Sequence, residues 1–405
     1  MKTETAIRNI DRPGTFGLDT YALKKVIGNL AVGTLHIMLP DGRQLSFEGE
    51  SRTELSAQWH ITDSRAIRRL VTGGALGFAE AYLDGDWTTP SLPALMLLAA
   101  HNDNAMAQRT QGMFLPRLVH RLQHIANSNS RGRARRNIAY HYDLGNDFYS
   151  AWLDPSMTYS SALFTQPDLS LQQAQHAKLD RLIEIADIRD ECEVLEIGCG
   201  WGSFLERASA RTAGQLTGIS ISARQCEYAR QRLIDKHIAN AQIEFRDYRD
   251  MQGSFDRIVS IEMFEAVGES YWQTYAHKVK QLLKHGGKAA FQVITIDEAR
   301  FEQYRGSADF IQRYIFPGGM LPSKERLNAT FEDAGMQVTS SFAFGHDYAR
   351  TLDHWRTEFH AAWPALRKLG FDERFKRMWD YYYAYCEAGF LSGSIDVVQI
   401  GVEHA

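Results

Sequence analysis

The stretch that most constrains this chain is VLEIGCGWGSF at residues 194–204, an apolar run that breaks into alternating glycines and then resumes with helix-compatible residues. That order reads as a strand, a tight turn and a helix. Glycines in such a turn allow positive φ and close approach to a ligand, and the following helix start offers unpaired N–H donors at the positive end of its dipole. The units that follow repeat the theme. Strands are predicted near 193–198, 215–219, 242–246, 256–261 and 288–296, with helices near 172–187, 201–212, 222–236 and 271–284. Strand and helix in alternation with short connections predict an α/β fold, a Rossmann-like doubly wound sheet. Segments 336–344 and 395–403 read as two further strands that complete it, separated by aromatic helices near 351–390.

With 405 residues the chain is long for one core and is expected to hold two domains. Residues 33–50 alternate apolar and polar side chains around Asp41-Gly42, a hairpin signal, and 64–83 and 91–107 carry helical periodicity. Residues 1–115 are therefore expected to form a small, mostly helical α+β domain without a catalytic constellation. Residues 116–137 form a basic linker, in which PRLVHRLQHIANSNSRGRARR (116–136) is either a solvated connection or a patch that meets anionic lipid head groups. The large domain is expected over 138–405.

Composition excludes several classes. Apolar residues at 44% and charged residues at 23% are those of an ordinary soluble protein. The four cysteines lack metal-ligand spacing, so no metal site is expected, and a reducing cytoplasm fits them best. A net charge of −4 argues against general nucleic-acid binding. No stretch approaches the ~20 apolar residues that span a bilayer, and the N-terminus lacks an apolar export signal.

The chemistry sits at the strand ends. Gly198, Gly200 and Gly202 spell G-x-G-x-G, whereas a nicotinamide fingerprint would put its third glycine where Ser203 stands. Together with Glu196 before the turn and the strand–helix units after it, this spacing points to S-adenosylmethionine as the ligand. The second strand lacks the terminal acid that would hold ribose hydroxyls; Ser220 and Gln225 are polar substitutes, although Ser222 and Gln225 also fit a helix capping box. Asp247 and Tyr248 follow the third strand, where an adenine edge would lie. After the fourth, SIEMFEAVG sets Glu262 and Glu265 in the crevice, and carboxylates beside a buried strand are costly unless they accept hydrogen bonds or protons.

The blocks AYHYDLGNDFYSAWLDPSMTYSSALF (139–164), VLEIGCGWGSF (194–204), GISISARQ (218–225), DRIVSIEMFEAVG (256–268), RYIFPGGMLPS (313–323) and the run from FGHDYARTL (344–352) to FKRMWDYYY (375–383) resemble the cyclopropane-fatty-acyl-phospholipid and mycolic-acid cyclopropane synthases. The resemblance implies a class I methyltransferase fold with an acyl-binding insert near 297–325. It implies that Tyr159, Ser160, Gly198, Gly200, Ser220, Gln225 and Tyr248 touch the methyl donor, and that Glu265 and Tyr348 hold a bicarbonate ion acting as general base. It also places Tyr314 and Phe316 along an apolar substrate tunnel. The implied substrate is an unsaturated phospholipid in the membrane, the implied location the inner face of the cell membrane with peripheral attachment, and the implied assembly a homodimer.

Three positions depart from the family. Ser161 replaces a cysteine, Gln292 replaces a bicarbonate-holding histidine, and Ala266 replaces a histidine after Glu265. If the cysteine position acts through its backbone, serine changes little, and glutamine still hydrogen-bonds an ion. Ring closure on the acyl double bond is the expected reaction; methylation without ring closure is the alternative. A non-catalytic lipid-binding subunit and a methyltransferase for a polar acceptor are the competing classes.

Overall fold

The computed structural model describes residues 9–10, 17–28, 30–110, 144–306 and 308–405. The basic segment 116–136 and the domain boundary at 137 lie outside the described residues.

The large unit is a seven-stranded sheet. Its strands are β6 (Val194–Ile197), β7 (Leu216–Ser220), β8 (Ala241–Phe245), β9 (Phe255–Ile261), β10 (Leu283–Ile296), β11 (Met336–Ala343) and β12 (Ile395–His404), in the spatial order β11-β12-β10-β9-β6-β7-β8. β6 to β10 pair in parallel, while β12 runs antiparallel to both β10 and β11. Every strand expected from the sequence is present. β6 and β7 are buried at each residue, as central parallel strands covered on both faces must be. One expected helix is shorter: the residues after the glycine turn are helical only over Ser203–Ala208.

The small unit carries a second sheet of five strands, β1 (Asn9–Ile10), β2 (Val32–Met38), β3 (Gln44–Glu48), β4 (Ser51–Ile61) and β5 (Trp87–Thr88), ordered β1-β3-β2-β4-β5. The β2–β3 hairpin closes at Asp41-Gly42, where Gly42 takes φ 83°. Three helices accompany it, α1 (Leu18–Ile27), α2 (Arg65–Leu83) and α3 (Leu92–Thr110). α2 is broken at Gly74, whose φ of 58° and ψ of −140° interrupt the helical ladder.

The two units are packed through a common core. One cluster joins Leu23, Leu35, Trp59 and Leu95 of the small unit to Trp152, Trp355 and Trp379 of the large one. The last two lie on long helices of the large unit, here α12 (Gly345–Lys368) and α13 (Glu373–Leu391); α4 (Asn146–Ser150), α5 (Leu171–Ile185), α6 (Ser203–Ala208), α7 (Ala223–Asp235), α8 (Trp272–Leu282), α9 (Glu298–Arg305), α10 (Phe310–Tyr314) and α11 (Lys324–Asp333) precede them. Polar contacts seal the seam: Tyr82 Oη donates to Asp380 at 2.9 Å, Arg300 reaches Asp103 at 2.8 Å and Arg374 reaches Asp84 at 3.0 Å. No helix among the described residues is long and apolar enough to cross a membrane.

Candidate active site

β6 is the switch point of the large sheet, because the chain leaves it toward β7 and β8 on one side and returns to β9 and β10 on the other. In such sheets the crevice opens at the carboxyl ends of the strands flanking the switch. A cavity of about 1040 Å³ lies there, at the upper end of the size usual for small-molecule sites. It has three parts.

The first part is made by backbone. Gly198, Gly200 and Gly202 take φ of 86°, 52° and 84°. A Cβ on Gly198 would stand 2.8 Å from Met263 Cγ, so glycine is needed there for the strand end of β9 to close in. A Cβ on Gly200 would meet nothing within 4 Å, which leaves that backbone open to the cavity. Gly202 differs from the expectation. It does not line the cavity; its would-be Cβ points at Ala229 of α7, at 3.1 Å, so this glycine serves helix packing. Ser220 and Gln225 do line the cavity. Ser222 caps α7 by accepting from Gln225 N, but the Gln225 carboxamide accepts from Ser220 Oγ at 3.1 Å instead of closing a capping box. Asp247 and Tyr248 complete this rim, with Asp247 gripping Arg249 through two oxygens and Tyr248 packed edge-on against Tyr275. An open glycine, hydroxyl and carboxamide groups at the next strand end and an aromatic edge after the third fit a nucleoside-bearing methyl donor. That donor supplies an electrophilic methyl on a sulfonium.

The second part is a cluster of buried carboxyl groups. Glu262 ends β9 in the left-handed region, φ 48°, a conformation that costs a non-glycine residue about 1 kcal/mol or more. Its carboxylate gathers three donors. Oε1 accepts from Ser161 N at 2.8 Å and from Gln292 Nε2 at 2.7 Å, and Oε2 accepts from Tyr348 Oη at 2.7 Å. Gln292 is held in turn by Gln399, whose amide donates to its Oε1 at 3.0 Å. Glu265 faces elsewhere: Oε1 accepts from Ile294 N, and Oε2 has no hydrogen-bond partner among the described residues. Glu196 lines the same space, its Oε2 likewise without a partner among the described residues.

Burial governs the charges. Burial pushes Glu265 up to about 8, helped by the neighbouring Glu262 charge, and pushes Glu196 to about 8 against the pull of Lys178. Glu262 is raised by burial as well, opposed by Lys178, Tyr348, Gln292 and the Ser161 amide. Lys178 on α5 is itself fully buried and pulled down to about 8, and its Nζ donates to Ser160 Oγ at 2.6 Å. The Tyr348 and Tyr159 phenols are pushed well above their ordinary range, chiefly by burial. Tyr159 Oη donates to Tyr382 Oη at 3.0 Å.

This arrangement corrects the expected base site. Tyr348 bonds Glu262, not a group shared with Glu265, and Ser161 contributes its backbone N–H while its hydroxyl donates to Ala162 O. Ser161 and Gln292 do not line the cavity; both stand behind Glu262. A bicarbonate ion does not fit. The Ser161 amide, Gln292 and Tyr348 already donate to Glu262, so a further anion there would meet a carboxylate in place of those donors.

The third part is apolar and crosses the seam between the units. Phe310 and Phe316 from the 297–325 insert, Tyr381 and Tyr385 from α13, and Leu30, Trp59, Leu95 and Met96 from the small unit line it, together with the Gly73-Gly74 break of α2. Tyr314 is not part of the wall; its hydroxyl donates to Glu80 at 2.8 Å and ties the insert to α2. Nothing in the sequence flags the small-unit residues, because helical periodicity looks the same whether a face meets a core or a cavity. Trp152, Trp355, Trp379 and Phe148 serve the core alone, whereas Tyr381 and Tyr382 belong to that core and, with Tyr385, also line the cavity.

Comparisons with known proteins agree with this fold. A family model described as mycolic acid cyclopropane synthetase matches residues 129–400. The chain is 40% identical over 356 residues to tuberculostearic acid methyltransferase UfaA1 of Mycobacterium tuberculosis, covering 84% of this chain and 81% of that protein. It is 35% identical over 344 residues to cyclopropane-fatty-acyl-phospholipid synthase of Escherichia coli, covering 84% and 86%. The crystal structure of mycolic acid cyclopropane synthase CmaA1 complexed with SAH and CTAB superposes with a TM-score of 0.63 at 29% identity, over 66% of this chain and 97% of that one.

Proposed function

The chain belongs to the mycolic acid cyclopropane synthetase family of S-adenosylmethionine-dependent methyltransferases, and from that premise we propose that it methylates the cis double bond of an unsaturated acyl chain carried by a membrane phospholipid. The observation that carries this reading is the continuity of the cavity, which runs from the glycine turn past Glu262 and Glu265 into an apolar chamber walled by both units. A polar acceptor would be poorly served by Leu30, Leu95, Met96, Phe310 and Phe316. An isolated alkene is a weak nucleophile, so the chamber's contribution is alignment of the double bond with the sulfonium methyl and exclusion of water. The cation that results is flanked by the carboxyl cluster and by the faces of tyrosines such as Tyr159 and Tyr382, which line the same space. Peripheral attachment to the membrane, on its inner face, belongs to the same proposal.

Two products are open to such a cation. Loss of a proton from the added methyl with C–C bond formation closes a ring; loss that forms a C=C bond leaves an open, methylated chain. The open-chain product is favoured by Gln292 and Ala266, which stand where the ring-forming enzymes this chain resembles carry histidine, and by the greater identity to a relative named for methylation than to one named for cyclopropane formation. Ring closure is the second reading, supported by the synthases in the family.

The test is incubation with S-adenosylmethionine and vesicles of either cis-unsaturated or fully saturated phospholipid, followed by mass spectrometry of the released fatty acids. Gain of one methylene unit on unsaturated chains alone is the expected result. Equal S-adenosylhomocysteine release from both vesicle types would sink the reading.

A further inference from the structure

We propose that Glu262 is the resident base of this site and that turnover needs no bicarbonate ion; the proposal rests on the acyl-methylation reading above. An ionised carboxylate offers about four lone-pair positions for hydrogen bonds. Three are used here, two on Oε1 by Ser161 N and Gln292 Nε2 and one on Oε2 by Tyr348 Oη. Glu262 itself lines the cavity, while Ser161 and Gln292 lie behind it. The remaining lone pair therefore belongs to Oε2, on the group whose other oxygen is anchored from the rear.

All three contacts come from groups that donate, a set that favours the ionised form. Glu265 has the opposite surroundings, with one amide donor, one partnerless oxygen and the charge of Glu262 nearby. Two neighbouring buried carboxyl groups do not both ionise. Glu262 is then the base and Glu265 the neutral acid beside it. The left-handed backbone of Glu262 belongs to the same account, since strain at a non-glycine residue persists where the surroundings impose it.

The chemistry balances without another reactant. The alkene π pair forms a C–C bond to the donor methyl as the S–CH3 bond breaks toward sulfur, giving S-adenosylhomocysteine and a carbocation. A C–H bond of that cation then breaks, its electron pair forms the new C–C or C=C bond, and the proton passes to Glu262 Oε2 and on to water as the products leave.

The experiment measures turnover on unsaturated phospholipid vesicles in buffer stripped of carbon dioxide, with and without added bicarbonate, for the wild type, Glu262→Gln and Glu262→Gly. The wild-type rate is expected not to respond to bicarbonate. Glu262→Gln is expected to lose about 100-fold or more in kcat, the usual worth of a general base, while calorimetry shows unchanged S-adenosylhomocysteine affinity. Glu262→Gly, to which the left-handed backbone is native, is expected to fold and to repeat the loss. A wild-type rate that collapses without bicarbonate and returns with it overturns the proposal, as does near-normal turnover by Glu262→Gln. A wild type silent on unsaturated lipid with bicarbonate present overturns the acyl reading and this proposal together; activity there with either of the first two results overturns the base assignment alone.

Discussion

The donor rim and the carboxyl cluster adjoin in one cavity but are built in different ways. The glycine turn of the rim is local: Gly198 and Gly200 are two residues apart, and their work is done by φ and by the absence of a Cβ. The carboxyl cluster is assembled from afar, since Glu262 meets Ser161 across 101 positions, Tyr348 across 86 and Gln292 across 30. A site made of backbone leaves a spacing that can be read in the sequence. A site made of side chains from separate elements does not.

The largest effect on donor affinity is expected where the rim is broken. Gly200→Val places a β-branched residue at φ 52° and a side chain in open cavity, and strain of about 1–3 kcal/mol plus steric exclusion should weaken S-adenosylhomocysteine binding by about 10- to 100-fold in calorimetry. Next comes the chamber. Met96→Trp should cut kcat/KM for long acyl chains by about 10-fold through lost space, at the ~1–3 kcal/mol usual for overpacking, and leave donor affinity unchanged. An unchanged chain-length profile would remove the small unit from the substrate site.

Glu265→Gln sharpens the contrast within the cluster. Glutamine resembles the neutral acid and still accepts from Ile294 N, so kcat should fall by less than about 10-fold, the scale of one rearranged hydrogen bond. The same variant has a stability signature. Glu265 ionises near 8 in the fold against an ordinary 4.5, so the folded state holds the proton more tightly and the wild type loses stability as pH rises across that window. The melting-temperature advantage of Glu265→Gln should therefore grow from about pH 4.5 to 8 and level off above it; a constant difference would remove the raised carboxyl from the account. The smallest effect is that of Tyr314→Phe, which removes the bond to Glu80 and should cost about 1 kcal/mol in denaturant melts while activity holds.

The sheet order was legible because buried parallel strands are continuous apolar runs and the glycine turn marks the first of them. The different place of Gly202 has a physical source, since a glycine after a strand serves ligand approach and helix packing with the same letter. Gln225 was ambiguous between cap and ligand, and the structure splits the roles, its backbone N–H capped by Ser222 and its side chain left in the cavity. Glu262 was visible as a carboxylate in the crevice. Its three donors were not, because only the closure of β9, β10, α12 and the loop at Ser161 brings them together.

The central claim is that the methyl group goes onto an acyl double bond, and a donor carrying a deuterated methyl tests it most directly. After turnover on cis-unsaturated phospholipid the account predicts deuterium in the acyl chain at the former double bond, with the methyl keeping all its label if the proton leaves a chain carbon and losing one deuterium if it leaves the methyl. Label found in the head group, or S-adenosylhomocysteine formed with unlabelled acyl chains, would contradict it.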